Sequence, residues 1–267
     1  MLLAIDIGNT TIGFAVIHKS GRIVSVAIVD TEAKANKIKA VVARVLRAHV
    51  ISRAIICSVV PKASRVLEDI LKKTVPVDII GRDIIVPIKN RYKNPKQVGQ
   101  DRLVGAYGAM KIYGCPLIVV DLGTAITFDV ISPKGEYLGG AIVPGIRLSA
   151  ESLFLKTALL PHIKIQAPRH IIGKTTQESI LSGLFYGYGS LCKGMIDLLS
   201  VSLRGTSEAS DEAISVKVVM TGGHTRLMKK FISPKISKLS NRHSRESGNP
   251  IIDEDLVFKG IYFLSHP

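Results

Sequence analysis

Tryptophan is absent from this 267-residue chain, and Phe and Tyr together leave aromatics at 5%. No RNA-binding aromatic signature accompanies the basic residues. Cysteine is scarce: Cys57, Cys115 and Cys192 are odd in number, widely spaced and form no metal-ligand cluster. They read as small buried hydrophobes of a reducing cytosol, so the expected location is cytoplasmic. No apolar run approaches the ~18–20 residues of a membrane span, so no membrane association is expected. Met1 leads straight into an apolar strand pattern without a basic segment or cleavage-site pattern, so a signal peptide is not expected. Acidic residues are also few, 21 against 36 Lys and Arg, for a net charge of +15. That charge suits attraction to nucleic acid or to anionic substrates. The basic residues are nonetheless scattered, dense only at Lys229–Lys238 and Arg242–Arg245. A basic compositional bias with a basic tail is the preferred reading, and nucleic acid is not an expected partner. The 46% hydrophobic and 21% charged content is that of a folded chain with room for one large domain or two ordinary ones.

What is present is a repeat. The run Leu117 to Val130 reads as a buried strand, a tight turn carrying Asp121-Leu122-Gly123-Thr124, and a second strand. The same order of Asp, apolar residue, Gly and then Asn or Thr occurs at Asp6-Ile7-Gly8-Asn9-Thr10, again between apolar runs. Two copies of one strand–turn–strand unit point to a duplicated α/β fold with paired phosphate-binding turns.

Taken in order, Leu2–Ile5, Ile12–Ile17 and Ile23–Val29 predict a three-strand meander with a hairpin at Lys19-Ser20-Gly21. Residues 31–50 change to helical period, with Ile38, Val41, Val42, Val45 and Leu46 on one face. Ala54–Val60 predicts a strand stopped by Pro61. Ser64–Lys73 predicts a helix with Val66, Leu67, Ile70 and Leu71 inward, and Val77–Ile80 and Ile84–Ile88 predict short strands. After a loop from Tyr92 to Gly99, Asp101–Lys111 is a predicted helix with Leu103, Val104, Tyr107 and Met110 inside. The second half repeats the meander from Leu117 to Val143. A predicted helix follows at Leu148–Lys156, then an irregular stretch at Leu160–His170. Thr175-Thr176-Gln177-Glu178 is a capping-box pattern opening a long helix to about Leu199, whose Ser182, Gly183, Gly187 and Gly189 would permit close packing. Lys217–Met220 predicts a strand entering the Thr221-Gly222-Gly223 turn, with a helix from about Arg226. Ser237–Pro250 has no apolar period and reads as an exposed inserted loop, and Leu256–Leu264 as a final amphipathic helix.

Glycine-containing turns that gather backbone N–H groups bind anions. A carboxylate in such a turn approaches phosphate only through a cation. Two such turns facing one another across a cleft would clamp a nucleoside triphosphate, and the Gly222-Gly223 turn could accept its nucleoside end. A single Asp-x-Gly turn would be an ordinary β-turn; the pair favours phosphate binding. Asp101, at a helix start beside Arg102, reads equally as a capping residue or as a general base for an alcohol near the phosphate donor. Arg102 reads as a surface cation or as a bidentate partner for an acidic group.

The motifs Asp6-Ile7-Gly8-Asn9-Thr10, Val98-Gly99-Gln100-Asp101-Arg102, Asp121 to Asp129, Tyr137 to Ile146, Ile172 to Ser179 and Thr221-Gly222-Gly223 together resemble the type III pantothenate kinases, a branch of the superfamily of acetate and sugar kinases, heat-shock chaperones and actin. The resemblance implies two ribonuclease-H-like (actin-like ATPase) domains, residues 1–115 and 116–267, each a mixed sheet flanked by helices, with the active site in the cleft between them. It implies ATP-dependent phosphorylation of pantothenate to 4'-phosphopantothenate, the entry to coenzyme A synthesis. It further implies ATP with Mg2+ or another divalent cation, a monovalent cation such as K+ or NH4+, and a homodimer. By position, Asp101 resembles the general base and Asp121 the potassium ligand. Asp6, Ile7, Gly8, Asn9, Thr10, Thr11, Ile12 and Gly13 resemble the first ATP loop, and Thr124 belongs to the second. Tyr92, Gly99, Gln100, Asp101, Arg102 and Thr176 match positions that contact pantothenate. Gln100 stands where the family usually has Ala, and Thr175 where it usually has Asn. The other readings are a non-catalytic regulator on the same scaffold, and a kinase of another small molecule.

Overall fold

The computed structural model describes residues 1–205, 215–232 and 249–266, with the side chains of residues 204 and 205 excepted. The chain divides into two compact units, Met1–Ile112 with Asp255–Pro267, and Tyr113–Glu254.

The first unit is built on a sheet of order β3-β2-β1-β4-β5. Its strands are β1 (Leu2–Ile7), β2 (Thr11–Ile17), β3 (Ile23–Asp30), β4 (Arg53–Ser58) and β5 (Val77–Ile79). β1 to β3 form an antiparallel meander, and β4 and β5 add parallel to β1. Alternation sets the faces. Leu3, Ile5, Ile7, Phe14 and Val16 turn to one side. There α1 (Ala35–Ala48) lays down Ile38, Val42 and Val45, and α2 (Pro61–Leu71) lays down Leu67 and Leu71. The other side carries small residues, Ala4, Gly13 and Ala15, and this is what lets a helix lie close. The ring of Phe258 from α8 (Leu256–Ser265) occupies the space a Cβ at Gly13 would need. α8 in turn meets α3 (Gln100–Tyr113) at Gly108 and Gly260, where a Cβ on Gly108 would stand 2.9 Å from the Gly260 Cα.

The second unit repeats this plan. Its sheet runs β10-β9-β6-β7-β8, from β6 (Leu117–Leu122), β7 (Ala125–Ile131), β8 (Tyr137–Pro144), β9 (Lys217–Thr221) and β10 (Ile251–Ile252). The correspondence extends to irregularities. Register slips between Val16 and Ile17 in β2, and between Val130 and Ile131 in β7. The hairpins that follow close through Gly21 (φ +83°) and Gly135 (φ +73°), each N–H donating to the carbonyl three residues back at 2.9 Å. Over this sheet pack α4 (Ile146–Lys156), α5 (Thr176–Ser182), α6 (Tyr188–Gly205) and α7 (Thr225–Ile232), around Ile118, Val120, Phe128, Phe185, Cys192 and Met228.

Several sequence expectations are corrected. Ile84–Ile88 is not a strand: Ile84 makes only an isolated bridge to Ile80, and Pro87 lacks the N–H a ladder needs. The strand expected to run to Val60 ends at Ser58, and Pro61 opens α2 as its first residue, where its missing N–H costs nothing. Val66 is exposed rather than inward. α3 is not one-sided, since Leu103 through Ala109 are all buried, while Met110 is only half-buried. The long helix is broken by a π-helical turn at Gly183–Gly187. Of its glycines, Gly189 meets the Phe231 backbone while Gly183 and Gly187 face open space, and the buried Ser182 hydroxyl donates to the Ile171 carbonyl. The final helix belongs to the first unit, not the second. Of the expected inserted loop, residues 237–248 lie outside the described residues.

Candidate active site

In the first unit, Asp6 is the last-but-one residue of β1, not part of the turn, and it pairs with Gly13 on β2 and Cys57 on β4. The turn proper is Gly8-Asn9-Thr10, closed by the Gly8 N–H donating to the Thr11 carbonyl at 3.0 Å. Thr31 fixes it from β3's end. Its hydroxyl donates to the Gly8 carbonyl at 2.7 Å and its N–H to the Thr10 carbonyl at 2.9 Å. Thr31 carried no motif and was not visible in the sequence as a site residue. Asn9, Thr10 and Thr11 are exposed, so the turn is open to solvent.

Asp101 is the second residue of α3. Its Oδ1 accepts from the Arg102 N–H at 2.8 Å and lies over Gly99, where any Cβ would overlap it. Burial raises its pKa, and the Arg102 amide and guanidinium oppose the rise. The neighbouring Cys57 thiol is fully buried, and its pKa is pushed well up by burial and then by the charges of Asp6 and Asp101. The fold therefore brings Asp6 and Asp101 around one apolar thiol, although 95 residues of sequence difference (101 minus 6) separate them. Tyr92 is half-buried, its N–H donating to the Asn90 side chain at 2.9 Å.

In the second unit, Asp121 occupies the place of Asp6. It pairs with Thr127 and Thr221, as Asp6 pairs with Gly13 and Cys57. Its Oδ1 sits between two glycines: 3.3 Å from where a Cβ on Gly123 would be, and overlapping one on Gly222, which has φ +93°. The Gly123-Thr124 turn is held from three directions. Gly123 N–H donates to the Ala125 carbonyl at 3.1 Å, Gly145 N–H to the Thr124 carbonyl at 3.0 Å, and His224 N–H to the Leu122 carbonyl at 3.1 Å. The His224 imidazole loses basicity through burial and the Arg147 charge, while hydrogen bonding to the Leu122 and Gly123 carbonyls opposes this. It is a turn-bracing residue. Thr124 is exposed at the tip. Thr176 is the first residue of α5, exposed, behind the cap in which the Thr175 hydroxyl accepts from the Glu178 N–H at 3.2 Å.

Among the described residues no three His, Cys, Asp or Glu side chains gather as a metal cage. Asp6 and Asp121 instead each stand one residue before the end of a strand that runs into a glycine turn. That donor set fits a Mg2+ ion, which takes one or two carboxylates and completes its shell with waters and phosphate oxygens. No helix among the described residues is long and apolar enough to cross a membrane.

Comparison with known proteins identifies the family and the fold. Among solved structures, a Campylobacter jejuni protein described as a Baf family transcriptional activator aligns over 99% of this chain and 97% of its own, at 18% identity and TM-score 0.59. A ROK family glucokinase from Streptomyces griseus aligns over 99% and 98%, at 13% identity and TM-score 0.51. Both likenesses concern the fold. In sequence, a type III pantothenate kinase of Persephonella marina is 43% identical over 86% of this chain and 90% of its own length. One from a Sulfurihydrogenibium species is 36% identical over 99% of both. A profile of type III pantothenate kinases matches residues 2–198, and the chain belongs to that family.

Proposed function

We infer that this chain phosphorylates pantothenate with Asp101 as the proton acceptor. Family membership makes it a pantothenate kinase that uses ATP and a divalent cation, at the entry to coenzyme A synthesis. The finer assignment is carried by one observation: Asp101 has one carboxylate oxygen anchored by the Arg102 amide, in surroundings that raise its proton affinity. A base works best when its pKa is brought toward the operating pH, and burial moves this aspartate in that direction.

In the reaction, Asp101 takes the proton of the primary 4'-hydroxyl. The hydroxyl oxygen bonds to the γ-phosphorus of ATP, the bond from that phosphorus to the β–γ bridging oxygen breaks, and ADP leaves. The divalent cation, when bound, neutralises charge on the β- and γ-phosphates. Asp6 is the residue to hold it, directly or through water, and the Gly8–Thr10 turn and Thr124 supply donors to phosphate oxygens. Tyr92, Gly99, Arg102 and Thr176 bind pantothenate, with Arg102 matched to its carboxylate. Asp121, whose carboxylate stands between Gly123 and Gly222, is the residue to hold a monovalent cation, K+ or NH4+. The working form is a homodimer in the cytoplasm.

The test is a coupled assay of ADP release with magnesium and potassium, with and without pantothenate, on wild-type protein and Asp101→Asn. Pantothenate-dependent ADP release that is lost in Asp101→Asn is the expected result. Undiminished turnover by the variant removes Asp101 from its role, and absence of pantothenate-dependent release from the wild type removes the substrate.

A further inference from the structure

The turn after β5 is firmly tied. Ile80 N–H donates to the Ile56 carbonyl of β4 at 2.9 Å, and Gly81 N–H to the Ile84 carbonyl at 2.8 Å. The Asp83 carboxylate accepts from the Ile79 N–H at 2.9 Å. From the same turn Arg82 donates two hydrogen bonds to Glu68 of α2, at 2.8 and 3.2 Å. At its apex Gly81 adopts φ +88°, a conformation that L side chains rarely accept. The space beside it is filled by one side chain. A Cβ on Gly81 would lie 2.9 Å from Cδ, 3.1 Å from Nε2 and 3.2 Å from Cγ of Gln100. Gln100 is the first residue of α3, and Asp101 is the next.

We propose that Gln100 is a positioning residue, whose side chain, seated on the Gly81 turn, holds the first turn of α3 against β4 and α2 and so sets where the Asp101 carboxylate stands. The inference rests on Asp101 as the proton acceptor. It gives Gln100, which the family resemblance places among the pantothenate contacts, a different task. Helix starts have few intrahelical bonds of their own and fray readily. Here the first bond, from Leu103 N–H to the Gly99 carbonyl, is long at 3.3 Å. A packed side chain against a tied turn supplies what that bond lacks. Small displacements of a reacting group reduce turnover steeply, so the effect should appear in kcat.

The experiment measures kcat and the KM for pantothenate and for ATP in wild type, Gln100→Ala, Gln100→Met and Asp101→Asn, with thermal unfolding recorded for each. Gln100→Ala is expected to lower kcat about tenfold, with both KM values within about twofold of wild type. Gln100→Met, whose unbranched chain refills the space over Gly81, is expected to recover most of the loss. A raised pantothenate KM at unchanged kcat would overturn the proposal and make Gln100 a substrate contact. Unchanged kinetics, with or without a lower unfolding temperature, would also overturn it. So would a Met variant as impaired as the Ala variant, because the amide rather than the packing would then matter. The Asp101→Asn arm reads separately: full activity there fails the base assignment, whatever the Gln100 variants do.

Discussion

The Asp101 carboxylate lies directly over Gly99, and the space a Cβ would need at residue 99 is taken by Asp101 Oδ1. Gly99 is therefore required by its neighbour rather than by its own backbone angles. Gly99→Ala forces the carboxylate out of its hydrogen bond with the Arg102 amide. The expected outcome is a fall in kcat of about 10- to 100-fold with an unchanged circular dichroism spectrum. Normal turnover by this variant would show that the carboxylate's position is immaterial.

The raised pKa of Asp101 also has a consequence for stability. A carboxyl that binds its proton more tightly when folded than when unfolded weakens the fold as pH rises through the interval between the two pKa values, and its cost is full above the folded one. Below the ordinary aspartate value of 3.8 the cost is absent. Asp101→Asn, which cannot ionise, should thus be more stable than wild type at pH 7 and should lose that advantage in acid. Urea unfolding at several pH values measures it. The same shift places the acid limb of the wild-type kcat/KM profile above 3.8.

Much of this architecture could be read from the residues. The two Asp-x-Gly turns announced the duplication, and the sheets bear it out down to matching register slips in β2 and β7. The strands were legible because apolar alternation encodes a strand locally. Which element covers which face is not encoded locally. Leu256–Leu264 was recognisable as a helix, yet nothing in it says that its Phe258 rests over Gly13, some 245 residues earlier (258 minus 13). The two-residue strand β10 is held by register with Val219 and Met220, and leaves no pattern of its own. At the site, motif residues were visible, but their supports were not. Thr31 beneath Gly8 and Gln100 on Gly81 act by position, and neither residue type signals it.

In the second unit, Gly222 combines φ +93° with contact against the Asp121 carboxylate and the Leu122 backbone. Gly222→Ala meets both strain and overlap, so it should cost about 1–3 kcal/mol of stability from the backbone alone. If Asp121 holds the monovalent cation, the variant should also lose activation by potassium while retaining a potassium-independent basal rate. Titrating activity against KCl at constant ionic strength checks this. Potassium activation of wild-type size in Gly222→Ala would separate the cation from Asp121.

The buried Asp129 accepts from Tyr137 Oη at 2.6 Å and from Thr127 Oγ1 at 3.2 Å. The carboxylate is 2% exposed, so a lost donor cannot be replaced by water. Tyr137→Phe should cost about 1–3 kcal/mol in chemical unfolding. It should leave kcat unchanged, since Asp129 and Tyr137 sit along the β7–β8 ladder.

The contact of α3 with α8 offers a paired test of close packing. A Cβ on Gly260 would overlap the Val104 carbonyl, a backbone atom that cannot step aside. A Cβ on Gly105, one residue along α3, would meet only Val257 Cγ2 at 4.0 Å, an ordinary contact. Gly260→Ala should therefore destabilise by about 1–3 kcal/mol or more through overpacking. Gly105→Ala should be neutral or stabilising by up to about 1 kcal/mol, because alanine loses less entropy than glycine in a helix interior. Because α3 carries Asp101 at its start, Gly260→Ala should also reduce kcat, whereas Gly105→Ala should not. Thermal unfolding and kcat on the two variants decide it. Equal tolerance of both substitutions would mean that the helices are not held at this distance.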